Sequence, residues 1–443
     1  MFNTKRYINL YTPLDGDAIT KRLEKYAKRG WQVRHYGDFI VTLEKDEPKD
    51  TKYAVTFFPD ATQFDPAMPP SQETYLDMCE SAGWRLIKAQ GPMHIFRNDR
   101  TDPIPIDTDE KYKLDGIHRS MKKTYLSGNF LLMISMLLNL INRGMDFSHI
   151  PFTILSDSSS LLLGLSILLL FIYNLFEIVH YFIWYFLSKR SIAKGGRCMP
   201  SLTGIKSFLL FSAIMLLATV LLYDIVYAPN REAGMFYAFV LLSVIALLAL
   251  VTLTQKIAKK LYTDAKKVRT ASVAASLALA LLYCLFLLSY TSDHDIDFSR
   301  TTELSLEDSP LRLEDIGIER KNIPNISYYP YYEYRSSFAA DLYSFYEFTN
   351  GGDDYVRYKV LIYDFPFVGR LALNKILDTY SWFNDVDETV WGSERAVRAR
   401  IYSGGDYQYL LLYADRLIQV ELPFEPSEDQ AAIIAEKLTS LGG

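Results

Sequence analysis

Asn174, Glu177 and His180 are the residues best placed to do chemistry, because they interrupt an otherwise apolar run over 160–187. Spaced by three, they fall along one side of a helix. An ionisable group inside a membrane is costly to bury, so its retention points to a role or to a partner. Glu177 with His180 is the pairing that a proton relay or proton sensor would use. The competing reading puts both toward the cytoplasmic end of an overlong helix, neutralised by Arg190, Lys194 or neighbouring helices. Asp224 is close enough to the end of its apolar run for its carboxylate to reach the surface.

A second group is basic. Lys256, Lys259, Lys260, Lys266, Lys267 and Arg269 crowd one short stretch that could hold anionic lipid. A plainer account is the excess of positive charge that cytoplasmic loops carry, and no nucleic acid is expected as a direct partner. Asp293, Asp295 and Asp297 alternate as calcium ligands do. That pattern fails at Phe298, where the loop needs Gly, and at Leu304, where it needs a bidentate carboxylate. Cys79, Cys198 and Cys284 have neither metal nor redox spacing, and His35 and His94 stand alone. The chain has no nucleophile elbow, no His-Glu zinc signature and no Cys-His arrangement. We therefore expect a non-enzymatic protein without metal or cofactor.

Helices must position the first two groups. A bilayer core about 30 Å thick needs roughly 20 apolar residues in a helix, and five stretches qualify: about 124–141, 160–187, 205–227, 235–255 and 272–290. Lys and Arg collect before the first, between the second and third, and between the fourth and fifth. The loops at 142–159 and 228–234 carry little positive charge. This alternation predicts a cytoplasmic N-terminus and an extracytoplasmic C-terminus. The first residues lack the apolar core of a signal peptide, which fits that orientation.

Residues 1–118 read as a cytoplasmic α+β head, and they repeat at an offset of about 53. Leu23 to Trp31 is an amphipathic helix ending in Gly30-Trp31, and Leu76 to Trp84 ends in Gly83-Trp84. Each Gly stands where a helix end needs a left-handed residue, and each Trp opens a strand as a core aromatic. Strand-like runs precede each helix (Arg6–Tyr11, Tyr53–Phe58) and follow it (Phe39–Glu44, His94–Arg97). The head is thus a tandem β-α-β-β unit, expected to form one mostly antiparallel sheet with two helices on one face. Lys28-Arg29-Gly30-Trp31, the run Phe39 to Pro48 and Tyr53 to Phe58 resemble the head of a bacterial membrane family, domain of unknown function 2812. Tyr75 to Cys79 with Gly83-Trp84 fits the same pattern. That resemblance covers about the first 120 residues and brings no catalytic residue with it. Members often lie beside PadR-type transcriptional regulators, which implies a regulatory setting.

Beyond the last span, 291–325 reads as a polar stem and 326–443 as an extracytoplasmic α+β domain. Strands are expected at Tyr355–Asp364, Arg395–Tyr402, Tyr407–Tyr413 and Leu417–Leu422, with a turn at Gly404-Gly405. A helix is expected at Phe367–Asp378, and another capped by Ser427. The Tyr-rich run Tyr328–Tyr346 reads as a half-buried strand rather than a stacking surface. Residues 292–443 carry 27 acidic and 14 basic side chains, a net charge of −13.

The fold class that emerges is an integral membrane bundle of five helices flanked by two α+β domains, in a bacterial cytoplasmic membrane. The expected function is sensory or regulatory, coupling an outer domain with an unknown ligand to a head that binds a cytoplasmic regulator protein. The alternative is an accessory component of transport or export that uses Asn174, Glu177 and His180.

Overall fold

A computed structural model of the chain describes residues 3–9, 11–37, 40–228, 231–294, 301–318, 331–348, 354–401 and 406–442. They fall into two compact units. The first comprises Met1–Leu137, Ser166–Ala218 and Phe236–Ile296, and the second Leu138–Leu165, Thr219–Met235 and Asp297–Gly443.

In the first unit the head runs β1 (Thr4–Ile8), α1 (Gly16–Ala27), β2 (Trp31–Tyr36), β3 (Ile40–Lys45), β4 (Lys52–Phe57), α2 (Pro70–Ser81), β5 (Arg85–Gln90) and β6 (Met93–Asn98). Phe39, the expected start of one strand, lies outside the described residues. The strands make two antiparallel sheets of three, ordered β1-β3-β2 and β4-β6-β5, where a single sheet was expected. Each sheet carries a bulge on one edge strand. The register of β2 slips between Val33 and His35, and that of β5 between Leu86 and Lys88. Both are edge strands, and a bulge twists an edge away from further pairing. A shared core still joins the two sheets, with Leu23, Val41, Leu43 and Ile95 fully buried. The helix ends are as expected: Gly30 and Gly83 take positive φ, 76° and 89°. A Cβ at Gly30 would lie 2.6 Å from the Asp46 carbonyl oxygen, so only glycine fits there. Trp84 is buried, and its Nε1 donates to the Ile104 carbonyl at 2.8 Å. Cys79 packs beside it.

From the head the chain enters α3 (Glu110–Ser120), capped by the Asp109 carboxylate, and then a π-helical turn at Met121–Tyr125. Next come α4 (Leu126–His149), α5 (Pro151–Leu155), α6 (Ser158–Ala193), α7 (Thr203–Val226), α8 (Arg231–Leu261) and α9 (Ala265–His294). Among the described residues four stretches, α4, α6, α7 and Ala265–Leu287 of α9, are long and apolar enough to cross a membrane. The fifth expected span, 235–255, lies inside α8, which is not among the four. Leu131 and Phe208 are 70% and 69% exposed, a pattern suited to lipid rather than water.

The second unit is built on an eight-stranded sheet. Its strands are β7 (Thr302–Glu303), β8 (Tyr331–Ser336), β9 (Asp341–Phe348), β10 (Tyr355–Ile362), β11 (Asn384–Asp385), β12 (Arg395–Ile401), β13 (Asp406–Leu412) and β14 (Arg416–Leu422). The order is β11-β12-β13-β14-β10-β9-β8-β7. One face buries Val356, Tyr358 and Val360 against α11 (Glu428–Thr439), whose N-cap is Ser427 as expected. The other face buries Leu361, Leu410 and Leu417 against α10 (Pro366–Thr379) and α5. The segment expected to be a polar stem is, in its described part, a layer of this fold. Its β7 pairs with β8, while Leu311 and Leu313 are fully buried in the core. Two apolar side chains among many acids were enough to anchor it. Most of the calcium-like loop, the Gly404-Gly405 turn and Tyr328 lie outside the described residues.

Candidate functional site

In the first unit, Thr12 and Asp15 form the turn that starts α1. Asp15 Oδ2 accepts from the Thr12 amide at 2.9 Å and from the Thr12 hydroxyl at 2.8 Å. A short run of chain leading into α7 meets this turn. Ser201 Oγ and Thr203 Oγ1 donate to Asp15 Oδ1 at 2.7 and 2.9 Å. One turn into α7, Lys206 Nζ lies 3.0 Å from the same oxygen and donates to Thr12 Oγ1 at 2.9 Å. On its far side Lys206 Nζ is 3.4 Å from Glu177 Oε1 of α6. Tyr125, at the entry to α4, closes the series by donating to Glu177 Oε2 at 2.5 Å.

The cluster is sealed. Asp15 and Glu177 are each 1% exposed and Lys206 2%. Burial pushes the Asp15 carboxyl up, but the Lys206 ammonium and the Ser201 and Thr12 donors outweigh it and hold it below the usual carboxylate range. Removing charges from water is offset only by close pairing and satisfied hydrogen bonds, which Asp15 has in full. Buried and paired in this way, the cluster is suited to holding elements together. It ties the head, α6 and α7 at one point.

Of the three residues expected inside the second span, only Glu177 belongs to this network. His180 Nε2 accepts from the Leu202 amide at 3.2 Å, and its ring stacks on Phe176. It therefore fixes the same incoming segment by its backbone. Asn174 Nδ2 donates back to the Leu170 carbonyl at 3.0 Å and faces Met136 Sδ at 3.5 Å. Arg190 and Lys194, the expected partners of Glu177, are replaced by Lys206. That lysine stands at the mouth of its apolar run, where it read only as a topology signal.

Further contacts hold the 194–202 segment. Trp184 Nε1 donates to the Met199 carbonyl at 2.6 Å, the Met199 amide donates to Ser188 Oγ at 3.0 Å, and the Cys198 amide donates to Glu110 Oε2 at 3.0 Å. His118 Nδ1 and Tyr181 Oη share a hydrogen bond of 2.6 Å over a core that includes Leu14, Ile117 and Trp184. Of the expected basic cluster, Lys256 and Lys259 line a cleft of about 680 Å³ with Lys88, Gln72 and Gln255. Lys260, Lys266, Lys267 and Arg269 do not line it. Among the described residues no group of three or more His, Cys, Asp or Glu side chains could hold a metal ion.

Residues 15–128 match the family model described as Protein of unknown function (DUF2812), so the resemblance read from the head's motifs holds over that segment. No curated protein and no solved structure matches the chain. The matched segment begins at Asp15 and includes Tyr125, whereas Glu177 and Lys206 lie outside it.

Proposed function

We propose that the protein is a non-enzymatic sensory or regulatory membrane protein, in which helices couple an extracytoplasmic sheet domain to a cytoplasmic head that binds a regulator protein. In this reading five helices span a bacterial cytoplasmic membrane, with the N-terminus inside as the alternating basic loops indicate. The head is a duplicated β-α-β-β unit, and β1-α1-β2-β3 and β4-α2-β5-β6 repeat the same sheet order. One observation carries the proposal: the buried Asp15–Lys206–Glu177 cluster ties the head to two helices by charge. A shift of α6 against α7 would change the hold on the head, which is what a transmitted signal requires. The transport alternative is weaker, because Asn174, Glu177 and His180 are at most 6% exposed and are engaged by neighbouring groups.

A photo-crosslinker at Met78, an exposed residue of α2, tests the reading in native membranes. A specific adduct to a cytoplasmic regulator, altered by Lys206→Met, is the expected result. No adduct under any envelope stress, or one indifferent to position 206, would sink it.

A further inference from the structure

In the second unit, a cavity of about 250 Å³ opens on the sheet face that carries Lys359, Gln408 and Gln419. Its remaining walls include Phe152, Tyr380 and Trp382. Lys359 sits mid-strand in β10, opposite Gln419 of β14 and Ser344 of β9. Among the described residues it makes no ion pair and no hydrogen bond. The nearby acid, Glu421, is already occupied: Arg357 Nη1 donates to it at 3.0 Å, Gln408 Nε2 at 3.0 Å and Gln419 Nε2 at 2.7 Å. Burial pushes the Lys359 ammonium down; Glu421 works against that, and Arg357 and Arg335 add to it. A cationic hollow is thus set into a region whose net charge is −13.

The walls add a second requirement. Tyr380 and Trp382 rings pack at 5.0 Å, and the Tyr380 hydroxyl is held 3.2 Å from His149 Nδ1. Trp382 remains 52% exposed beside the cavity, so much of a large flat side chain is open there. A half-buried cation beside a part-exposed aromatic side chain asks for a ligand with a negative end and a flat end.

We propose that this cavity binds a small aromatic carboxylate, its carboxylate on Lys359 and its ring against Trp382 and Tyr380. The proposal rests on the sensory reading for its biological meaning, since it gives the outer domain a ligand class. Its test is direct binding, so its failure leaves the coupling between head and helices untouched, and failure of that coupling leaves the binding intact.

The full chain in lipid nanodiscs is titrated with benzoate and, separately, with benzamide as its neutral isostere. Intrinsic tryptophan fluorescence and calorimetry report the binding. Saturable benzoate binding is expected at millimolar concentration or below, with benzamide weaker by about tenfold or more, since a hydrogen bond to a charged group contributes that much. Lys359→Met should weaken benzoate by a similar factor and leave benzamide unchanged, while Trp382→Ala should weaken both. If Lys359→Met fails to fold, Lys359→Gln takes its place. Comparison of benzoate with benzamide on the unaltered protein decides by itself in either case. No saturable benzoate binding, equal affinity for the two probes, or indifference to position 359 overturns the site.

Discussion

Lys206→Met removes the one cation between two buried carboxylates while keeping the length of the side chain. In the folded protein Lys206 Nζ lies 3.0 Å from Asp15 and 3.4 Å from Glu177, and none of the three is more than 2% exposed. Removing one partner of a buried pair leaves an uncompensated charge and costs about 3–5 kcal/mol. Here two carboxylates would be left, with Ser201, Thr203, Thr12 and Tyr125 as their remaining donors. The expected result is a local loosening where the head meets α6 and α7, read best by hydrogen exchange in nanodiscs. The Thr12, Cys198 and Leu202 amides report directly, because each donates to a group in or beside the cluster. A loss of about 3 kcal/mol corresponds to exchange faster by roughly 100-fold or more when opening limits it. A triple variant, Asp15→Asn with Glu177→Gln and Lys206→Met, carries no buried charge and should return exchange to within about tenfold of wild type. Two outcomes would refute the reasoning: exchange in Lys206→Met equal to wild type, or a triple variant as loose as the single one. The first would mean the ion pairs hold nothing, and the second that packing rather than charge was lost.

Two further perturbations test other parts of the molecule. His94 is fully buried among Phe58, Tyr75 and Phe96, accepts from Gln72 Nε2 at 2.7 Å, and is pushed down to about 4 by burial. With its unfolded value near 6.5, the folded head binds fewer protons in this range, so stability present above about pH 6.5 is lost as pH falls toward 4. The loss should reach about 2 kcal/mol at pH 5 and be absent in His94→Phe; exchange of the β6 amides at pH 7.5 and 5 measures it, and an equal pH response in the two proteins would refute it. Arg312 holds Glu347, itself 1% exposed, through Nη2 at 2.7 Å, and the Leu313 amide adds 2.9 Å to the same carboxylate. Arg312→Met should destabilise the sheet domain by about 3–5 kcal/mol in urea unfolding followed by the buried Trp391, and a change under about 1 kcal/mol would show that the 301–318 layer is held by its leucines alone.

Features set by local sequence were legible, and features set by distant pairing were not. The apolar runs at 160–187 and 205–227 exceed what a soluble core helix needs, so α6 and α7 follow from composition and length alone. Gly30 and Gly83 likewise announce helix ends, because a left-handed backbone is a property of one residue. Period-two patterning found the later strands nearly to the residue, with Leu417–Leu422 inside β14. Sheet membership has no such local marker. The slips at Val33 and Leu86, on one edge strand of each head sheet, involve single residues that look like any others in a strand. In the 301–318 segment, acidic composition hid Leu311 and Leu313, two side chains that decide where the segment lies.

The charge cluster shows why the site was harder to read than the spans that carry it. A lysine at the start of an apolar run has one appearance in sequence whether it faces lipid headgroups or a carboxylate from another element. Lys206 fulfils both descriptions, being part of the basic loop and the counter-ion of Glu177. Asp15 stands at a helix start, and it bonds Thr12 as residues there commonly do. Its second oxygen, however, accepts from Ser201 and Thr203, more than 180 positions away. An intramembrane carboxylate can be located from sequence because its cost is local, but its partner is found only in the fold. Here the partner is shared with the head, so the carboxylate read as a candidate for proton transfer also binds two parts of the first unit together.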